Sequence, residues 1–152
     1  GIGYDIHRLA ADRRLTLGGV AIEHPAGLVG HSDGDVLLHA LMDALLGAAN
    51  LGDLGRHFPS EDPAFAGARS LELLRRVGGR GRERGLSVGS LDATVIAQAP
   101  RLAPHVQAMR EAIAAALGID ADRVRVKATT NDGLGTIGSG DAIAALAIAH
   151  LD

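Results

Sequence analysis

Residues Val36–Ala49 constrain this chain more than any other stretch, because they are rich in leucine and alanine and almost entirely apolar. Ser32 offers a cap, with Asp35 three residues on in the manner of a capping box, and Gly47 and Gly52 mark the helix end. The polar side chains inside this pattern, His39 and Asp43, continue from Asp35 at four-residue spacing, so the three form one stripe. So apolar a helix must be covered over most of its surface, which calls for a sheet beneath it. A polar stripe within it is not something core packing requires.

The flanking segments supply the sheet. Gly1–Leu9 reads as a short strand followed by a polar turn over 10–14. Leu15–Glu23 reads as a second strand interrupted at Gly18-Gly19, and Pro25–Gly30 as a loop. Gly52–Pro63 is a loop dense in glycine, proline and charge. Ser70–Arg76 begins a helix weakened beyond its first half by Gly78, Gly79, Gly81 and Gly85, about 1 kcal/mol each. Leu91–Gln98 alternates as a strand, and Pro104 opens a third helix with Val106, Met109, Ile113 and Leu117 on one face until Gly118. Val124–Thr130 is a strand. Asp141–Leu151 is ambiguous: its alanines favour helix, while Ile143, Ala145 and Ala147 alternate as in a strand. The expectation is one α/β domain over residues 1–152.

Composition removes whole classes of function. There is no cysteine, which excludes disulfides, thiolate catalysis and cysteine zinc sites and makes the cytoplasm the default compartment. With net charge −3 and Tyr4, Phe58 and Phe65 as the only aromatic residues, a nucleic-acid partner is not expected. No apolar run approaches the roughly 18–20 residues needed to span a membrane, and no secretory signal opens the chain. The start at Gly1 without methionine reads as trimming, processing or excision from a longer protein.

Chemistry concentrates near the N-terminus. Asp5 and His7, two apart on a strand, project to one face. With His39 from the helix and His31-Ser32-Asp33 nearby, they assemble oxygen and nitrogen donors suited to tetrahedral Zn²⁺ with the fourth position open, the arrangement of catalytic rather than structural zinc. A second segment, Lys127-Ala-Thr-Thr-Asn-Asp132, offers hydroxyls and one carboxylate of the kind a phosphate and Mg²⁺ would use. Two other features read as incidental. Gly133-Leu-Gly-Thr-Ile-Gly138 matches a dinucleotide fingerprint, but only fourteen residues follow it, leaving no room for the second strand and its acidic residue. The arginines between Arg75 and Arg84 read as a solvated face.

The strings GYDIHRL (3–9), GHSDGDVLLHALMDALLGAA (30–49), LGDLGRHFP (51–59), IAQAPRLAPH (96–105) and VKATT (126–130) closely resemble the 2-C-methyl-D-erythritol 2,4-cyclodiphosphate synthase family of the non-mevalonate isoprenoid pathway. The resemblance runs nearly end to end in the same order. It implies conversion of 4-diphosphocytidyl-2-C-methyl-D-erythritol 2-phosphate to the 2,4-cyclodiphosphate with release of CMP. It also implies a mixed sheet with helices packed on one side, and a homotrimer with a sheet-lined centre and active sites between subunits. Asp141–Leu151 would then be a strand, and the location cytoplasmic, or plastid for a plant-type source.

By position, the resemblance implies Asp5, His7 and His39 as zinc ligands and Asp132, where the family uses a glutamate, as the ligand for Mg²⁺ or Mn²⁺. His31 and Ser32 would contact the erythritol phosphate end, with His31 and Thr130 stabilising the transition state. Asp53 and Gly55 would hold the ribose, and Leu54 and Phe58 would line the pocket. From a neighbouring subunit, Ala99, Pro100, Arg101, Leu102 and Ala103 would surround cytosine, and Thr129 and Thr130 would hold the cytidine phosphates. The implied reaction brings two anions together, and unit charges ~4 Å apart repel by roughly 4 kcal/mol at an effective dielectric near 20. Cations offset this, and intramolecular ring closure supplies much of the remaining acceleration.

Some positions depart from the family. Ser139 and Asp141 stand where an arginine and a glutamate are frequent, Thr136 stands where an aromatic is, and Ser60 stands where an aspartate is common. By the resemblance, the first three would line the threefold channel in which some members hold an isoprenoid diphosphate, so weak or absent binding of such a ligand is expected here. Two alternatives to the synthase are a zinc-dependent phosphoesterase acting on a nucleoside diphosphate substrate and a catalytically silent trimeric binding module.

Overall fold

Alternation along the first strand, β1 (Ile2–Ala11), sorts its side chains between two environments. Gly3, Asp5 and His7 turn toward a helix, while Ile2, Tyr4 and Ile6 turn away and stay exposed. A computed structural model describes all 152 residues. β1 reaches Ala11, beyond the expected turn at residue 10. The segment read as one interrupted strand is a small hairpin, β2 (Leu15–Leu17) and β3 (Val20–Ile22), turned by Gly18 and Gly19. Both glycines have positive φ, 59° and 77°, and two consecutive left-handed residues are what a tight hairpin needs. The expected loop over 25–30 contains a third short strand, β4 (Ala26–Leu28), paired antiparallel with β1.

The long apolar helix, α1, covers Val36–Ala48, and its N-cap is Asp35 rather than Ser32. The loop after it holds one helical turn, α2 (Leu54–His57), capped by Asp53. α3 (Ser70–Glu83) continues through its glycines, and β5 (Val88–Ile96), α4 (Val106–Leu117) and β6 (Val124–Thr129) follow. The dinucleotide-like string forms a turn and a single helical turn, α5 (Gly135–Gly138). It leads into the antiparallel strand β7 (Ala142–Leu151), so there is no βαβ unit there. The arginines of α3 are exposed, as expected of a solvated face, with Arg75 paired to Glu72.

The main sheet has the order β4-β1-β7-β5-β6, in which β5 and β6 are parallel and the other pairs antiparallel. α1 lies across β1, β7 and β5, α4 covers β6, and α3 packs on α1 and α4. This is the expected mixed sheet with helices on one side. β7 is a strand despite its alanines. Ala145, Ala147 and Ala149 face inward and are buried, small enough to let α1 sit close, while Leu146 and Ile148 face outward and are exposed. Gly3 serves the same approach, since a Cβ there would lie 1.9 Å from the Ala40 carbonyl oxygen of α1. No helix is long and apolar enough to cross a membrane.

Candidate metal centre

The close approach of α1 to β1 sets three side chains against one another. Asp5 and His7 leave β1 on its helix-facing side, and His39 leaves α1 one turn from its start. Asp5 Oδ2 lies 2.8 Å from His7 Nε2 and 2.9 Å from His39 Nδ1, and the two ring nitrogens are 3.2 Å apart. Four-coordinate zinc with bonds of about 2.0–2.1 Å separates neighbouring ligand atoms by roughly 3.3 Å, close to this triangle. The donor set of two imidazole nitrogens and one carboxylate oxygen therefore fits a single metal ion. His7 Nδ1 contacts the Val29 carbonyl, which can only accept, so that nitrogen carries the proton and Nε2 presents a lone pair when the ring is neutral.

The electrostatics follow from this crowding. Burial alone raises the Asp5 carboxyl. When protonated, His39 and His7 donate to it, and these bonds with their charges outweigh burial and carry the group below the usual carboxylate range. The Asp5 carboxylate in turn raises His7, against the opposing effect of burial and with help from the Val29 carbonyl. Burial raises Asp43 although it accepts from the Leu54 amide at 2.7 Å.

The triad opens into a cavity of about 290 Å³ also lined by His31, Ser32, Asp43, Leu54, Gly55, Phe58, Ser60, Phe65 and Leu73. The structure thus brings together Asp5, His7, His39, His31, Ser32, Leu54, Gly55 and Phe58. Asp53 lies beside them, exposed, with one oxygen accepting the Arg56 amide at 2.9 Å. Phe58 is held edge-on by Phe65, ring centres 5.3 Å apart.

Ala99–Ala103, Thr129, Thr130 and Asp132 do not line this cavity. Register shows why. Ile6 pairs with Ala144, Ala144 with Ile96, and Ile96 with Thr129, so Thr129 is three strand spacings from β1, about 14 Å. Thr129–Asp132 lie at the β6 edge, where the segment leading into Ala99 meets them: the Ala97 amide donates to Thr129 O and the Gly133 amide to Gln98 Oε1.

One sequence reading is corrected. Asp35 does not share a polar stripe with His39 and Asp43: it is fully buried and accepts the amides of Gly18 at 2.9 Å, Gly19 at 2.7 Å and Leu38 at 3.1 Å. Its place just before Val36 makes it the N-cap, and it pins the β2–β3 hairpin onto α1. Conversely, Ser70 escaped notice. It is fully buried and its Oγ lies 3.1 Å from His39 Nε2, but a serine opening a helix carries no sequence signal beyond a helix start. Phe65, one of three aromatic residues, could have been flagged by its rarity.

A mixed sheet with helices on one face and an aspartate–histidine–histidine centre at the strand–helix seam define the class. The YgbB family model matches residues 1–152, and the chain belongs to that family of enzymes. Within it, the chain is 58% identical to the 2-C-methyl-D-erythritol 2,4-cyclodiphosphate synthase of Trichlorobacter lovleyi, over 99% of this chain and 96% of that one. Among solved structures, a 2C-methyl-D-erythritol-2,4-cyclodiphosphate synthase in a CDP-bound form superposes with a TM-score of 0.91 at 36% identity, covering 100% of this chain and 99% of the other. The bifunctional IspDF of Campylobacter jejuni reaches 0.96 at 45% identity, with 99% of this chain matched to 41% of that larger one.

Proposed function

We propose that the chain cyclises 4-diphosphocytidyl-2-C-methyl-D-erythritol 2-phosphate to 2-C-methyl-D-erythritol 2,4-cyclodiphosphate, releasing CMP, in the cytoplasm as a step of isoprenoid synthesis. The observation that carries this reading is the convergence of Asp5, His7 and His39 at the floor of an open cavity, on a chain of this family. Nitrogen-rich donors favour zinc, and three protein ligands leave one position for substrate. A zinc ion held there would supply positive charge and Lewis acidity to a diphosphate oxygen.

The chain's own residues do the positioning. An oxygen of the 2-phosphate bonds to the β-phosphorus while the bond from that phosphorus to the bridging oxygen breaks, and CMP leaves with that oxygen and its electron pair. No water is consumed and no general base is needed. His31 and Ser32, on the cavity wall, hold the erythritol phosphate end, and His31 and Thr130 donate to the oxygens on which charge builds. Leu54 and Phe58 supply apolar walls; Asp53 and Gly55 take the ribose hydroxyls.

The cytidine end needs the β6-edge cluster, with Ala99–Ala103 around the base and Thr129 and Thr130 on the phosphates. Asp132, exposed beside the Thr130 hydroxyl, offers Mg²⁺ or Mn²⁺ the single carboxylate that such ions combine with substrate phosphates. Because that cluster lies about 14 Å from β1 within one chain, a second copy must bring it to the cavity. The outward sheet face, where Ile2 is 68% exposed, Tyr4 55% and Ile148 55%, is the apolar surface such an assembly would cover. We read the assembly as a homotrimer with these sheets lining its centre.

Turnover in H₂¹⁸O tests the reaction. Cyclisation leaves solvent oxygen out of both products, whereas a metal-dependent phosphoesterase would place ¹⁸O in one of them and overturn this reading.

A further inference from the structure

We propose that Ser70, steered by Asp33, is a positioning residue that holds His39 in the one tautomer able to bind a metal through Nδ1. The inference rests on the metal-centre reading above and concerns what prepares the ligand.

His39 Nε2 lies 3.1 Å from Ser70 Oγ and 3.1 Å from Ser32 Oγ. The two hydroxyls are not equivalent. Asp33 clasps Ser70 at two points: Oδ1 accepts the Ser70 hydroxyl proton and Oδ2 accepts the Ser70 amide at 2.9 Å. With its proton committed to a carboxylate, Ser70 Oγ can offer His39 only a lone pair. His39 Nε2 must therefore donate, and because a neutral imidazole carries one N–H, Nδ1 is left bare. Nδ1 is the atom that faces Asp5 and His7.

Ser32 cannot make this choice. Its oxygen accepts the Gly34 amide at 3.3 Å, and no carboxylate holds its proton, so it can donate or accept as its neighbours require. The direction set by Asp33 matters because the alternative is close at hand. If Ser70 donated to Nε2, the ring proton would sit on Nδ1, 2.9 Å from an Asp5 oxygen ready to accept it. The site would then close on itself by an internal hydrogen bond competing with the metal. The two histidines are thus locked in opposite senses: His7 on Nδ1 by a backbone carbonyl, His39 on Nε2 by a serine whose orientation an aspartate imposes. Outer partners of this kind are worth about 10–100-fold in metal affinity.

Asp33→Asn separates the chemistry from the shape. The asparagine oxygen keeps the 2.9 Å bond from the Ser70 amide, its NH₂ turns to Ser70 Oγ and gives up the weaker 3.2 Å bond from the Asp35 amide, and the freed hydroxyl proton turns to His39 Nε2. Zinc affinity is measured by chelator competition on the full chain, and the His39 tautomer by ¹⁵N correlation spectroscopy of the metal-free protein. Wild type is expected to carry its proton on Nε2 and Asp33→Asn on Nδ1. Asp33→Asn and Ser70→Ala should each bind zinc about 10–100-fold more weakly, while Ser70→Thr, which keeps the hydroxyl, stays within about threefold of wild type.

Either weakened variant suffices if the other does not fold. Zinc affinities within about threefold of wild type in the folded variants would overturn the proposal. So would weaker binding with His39 unchanged in Asp33→Asn, since that marks Ser70 and Asp33 as merely structural. Failure of wild type to bind zinc overturns the metal-centre reading instead, and the tautomer measurement still reports on the serine–aspartate clasp.

Discussion

Replacing Gly3 by alanine tests whether the metal centre depends on how closely α1 lies on β1. The added Cβ would stand 1.9 Å from the Ala40 carbonyl oxygen and 2.8 Å from the Ala44 amide nitrogen, both backbone atoms that no rotamer change can move. Ordinary contact begins at 3.4 Å, so helix and strand must separate by about 1.5 Å. His39 precedes Ala40 on α1, and Asp5 follows Gly3 by two on the same strand face. The 2.9 Å between His39 Nδ1 and Asp5 Oδ2 then opens to about 4.4 Å. Two zinc bonds of about 2.1 Å cannot span that even in a straight line.

The fold should bear the change at a cost of about 1–3 kcal/mol, the usual toll of overpacking. Zinc affinity, read by chelator competition, should fall by more than about 100-fold, because displacing a ligand exceeds the cost of losing an outer partner. Gly47→Ala is the control. It sits near the end of the same helix with no heavy atom within 4 Å of the added carbon, and should leave zinc binding alone while adding up to about 1 kcal/mol of stability. A folded Gly3→Ala protein that binds zinc as wild type does would refute the reasoning from approach to ligand geometry.

Other consequences can be measured independently. His39→Ala should reduce retained zinc to background and abolish turnover while the circular dichroism spectrum is unchanged; retained activity counts against the ligand assignment. Asp35 bears on pH: burial pushes its carboxyl up to about 6 against the pull of the Gly19, Leu38 and Gly18 amides. Between about pH 4 and 6 the folded chain thus holds more protons at this site than the unfolded chain, and stability falls as pH rises, by up to about 3 kcal/mol. Asp35→Asn should flatten that part of the urea-unfolding profile, and an unaltered slope would contradict the assignment. The Ser139 hydroxyl has one proton, facing Asp141 Oδ2 at 2.6 Å with the Thr136 carbonyl at 3.0 Å as the other acceptor, and presents no cation to a diphosphate. Calorimetry with geranyl diphosphate should accordingly show weak or no binding, and tight saturable binding would be the contrary result.

The sequence alone determined whatever depends on local periodicity. Period two along β1 put Asp5 and His7 on one face, and the leucine–alanine run put His39 on a helix that packs on the sheet. Both hold in the structure, because side-chain direction in a regular element follows from backbone geometry. Only tertiary structure decided the rest. Alanines of β7 favour a helix in isolation, yet here they make a floor shallow enough for α1 to approach. Asp35 shares the spacing of His39 and Asp43, but the hairpin amides of Gly18 and Gly19 folding over the helix start turn it into a buried cap. Ser70 and Asp33 are 37 residues apart, and nothing in either neighbourhood announces that they meet behind His39. The separation of the triad from Thr129 is likewise a matter of strand order. Contacts distant in sequence are set by which surfaces pack, and packing is a property of the whole chain rather than of any window along it.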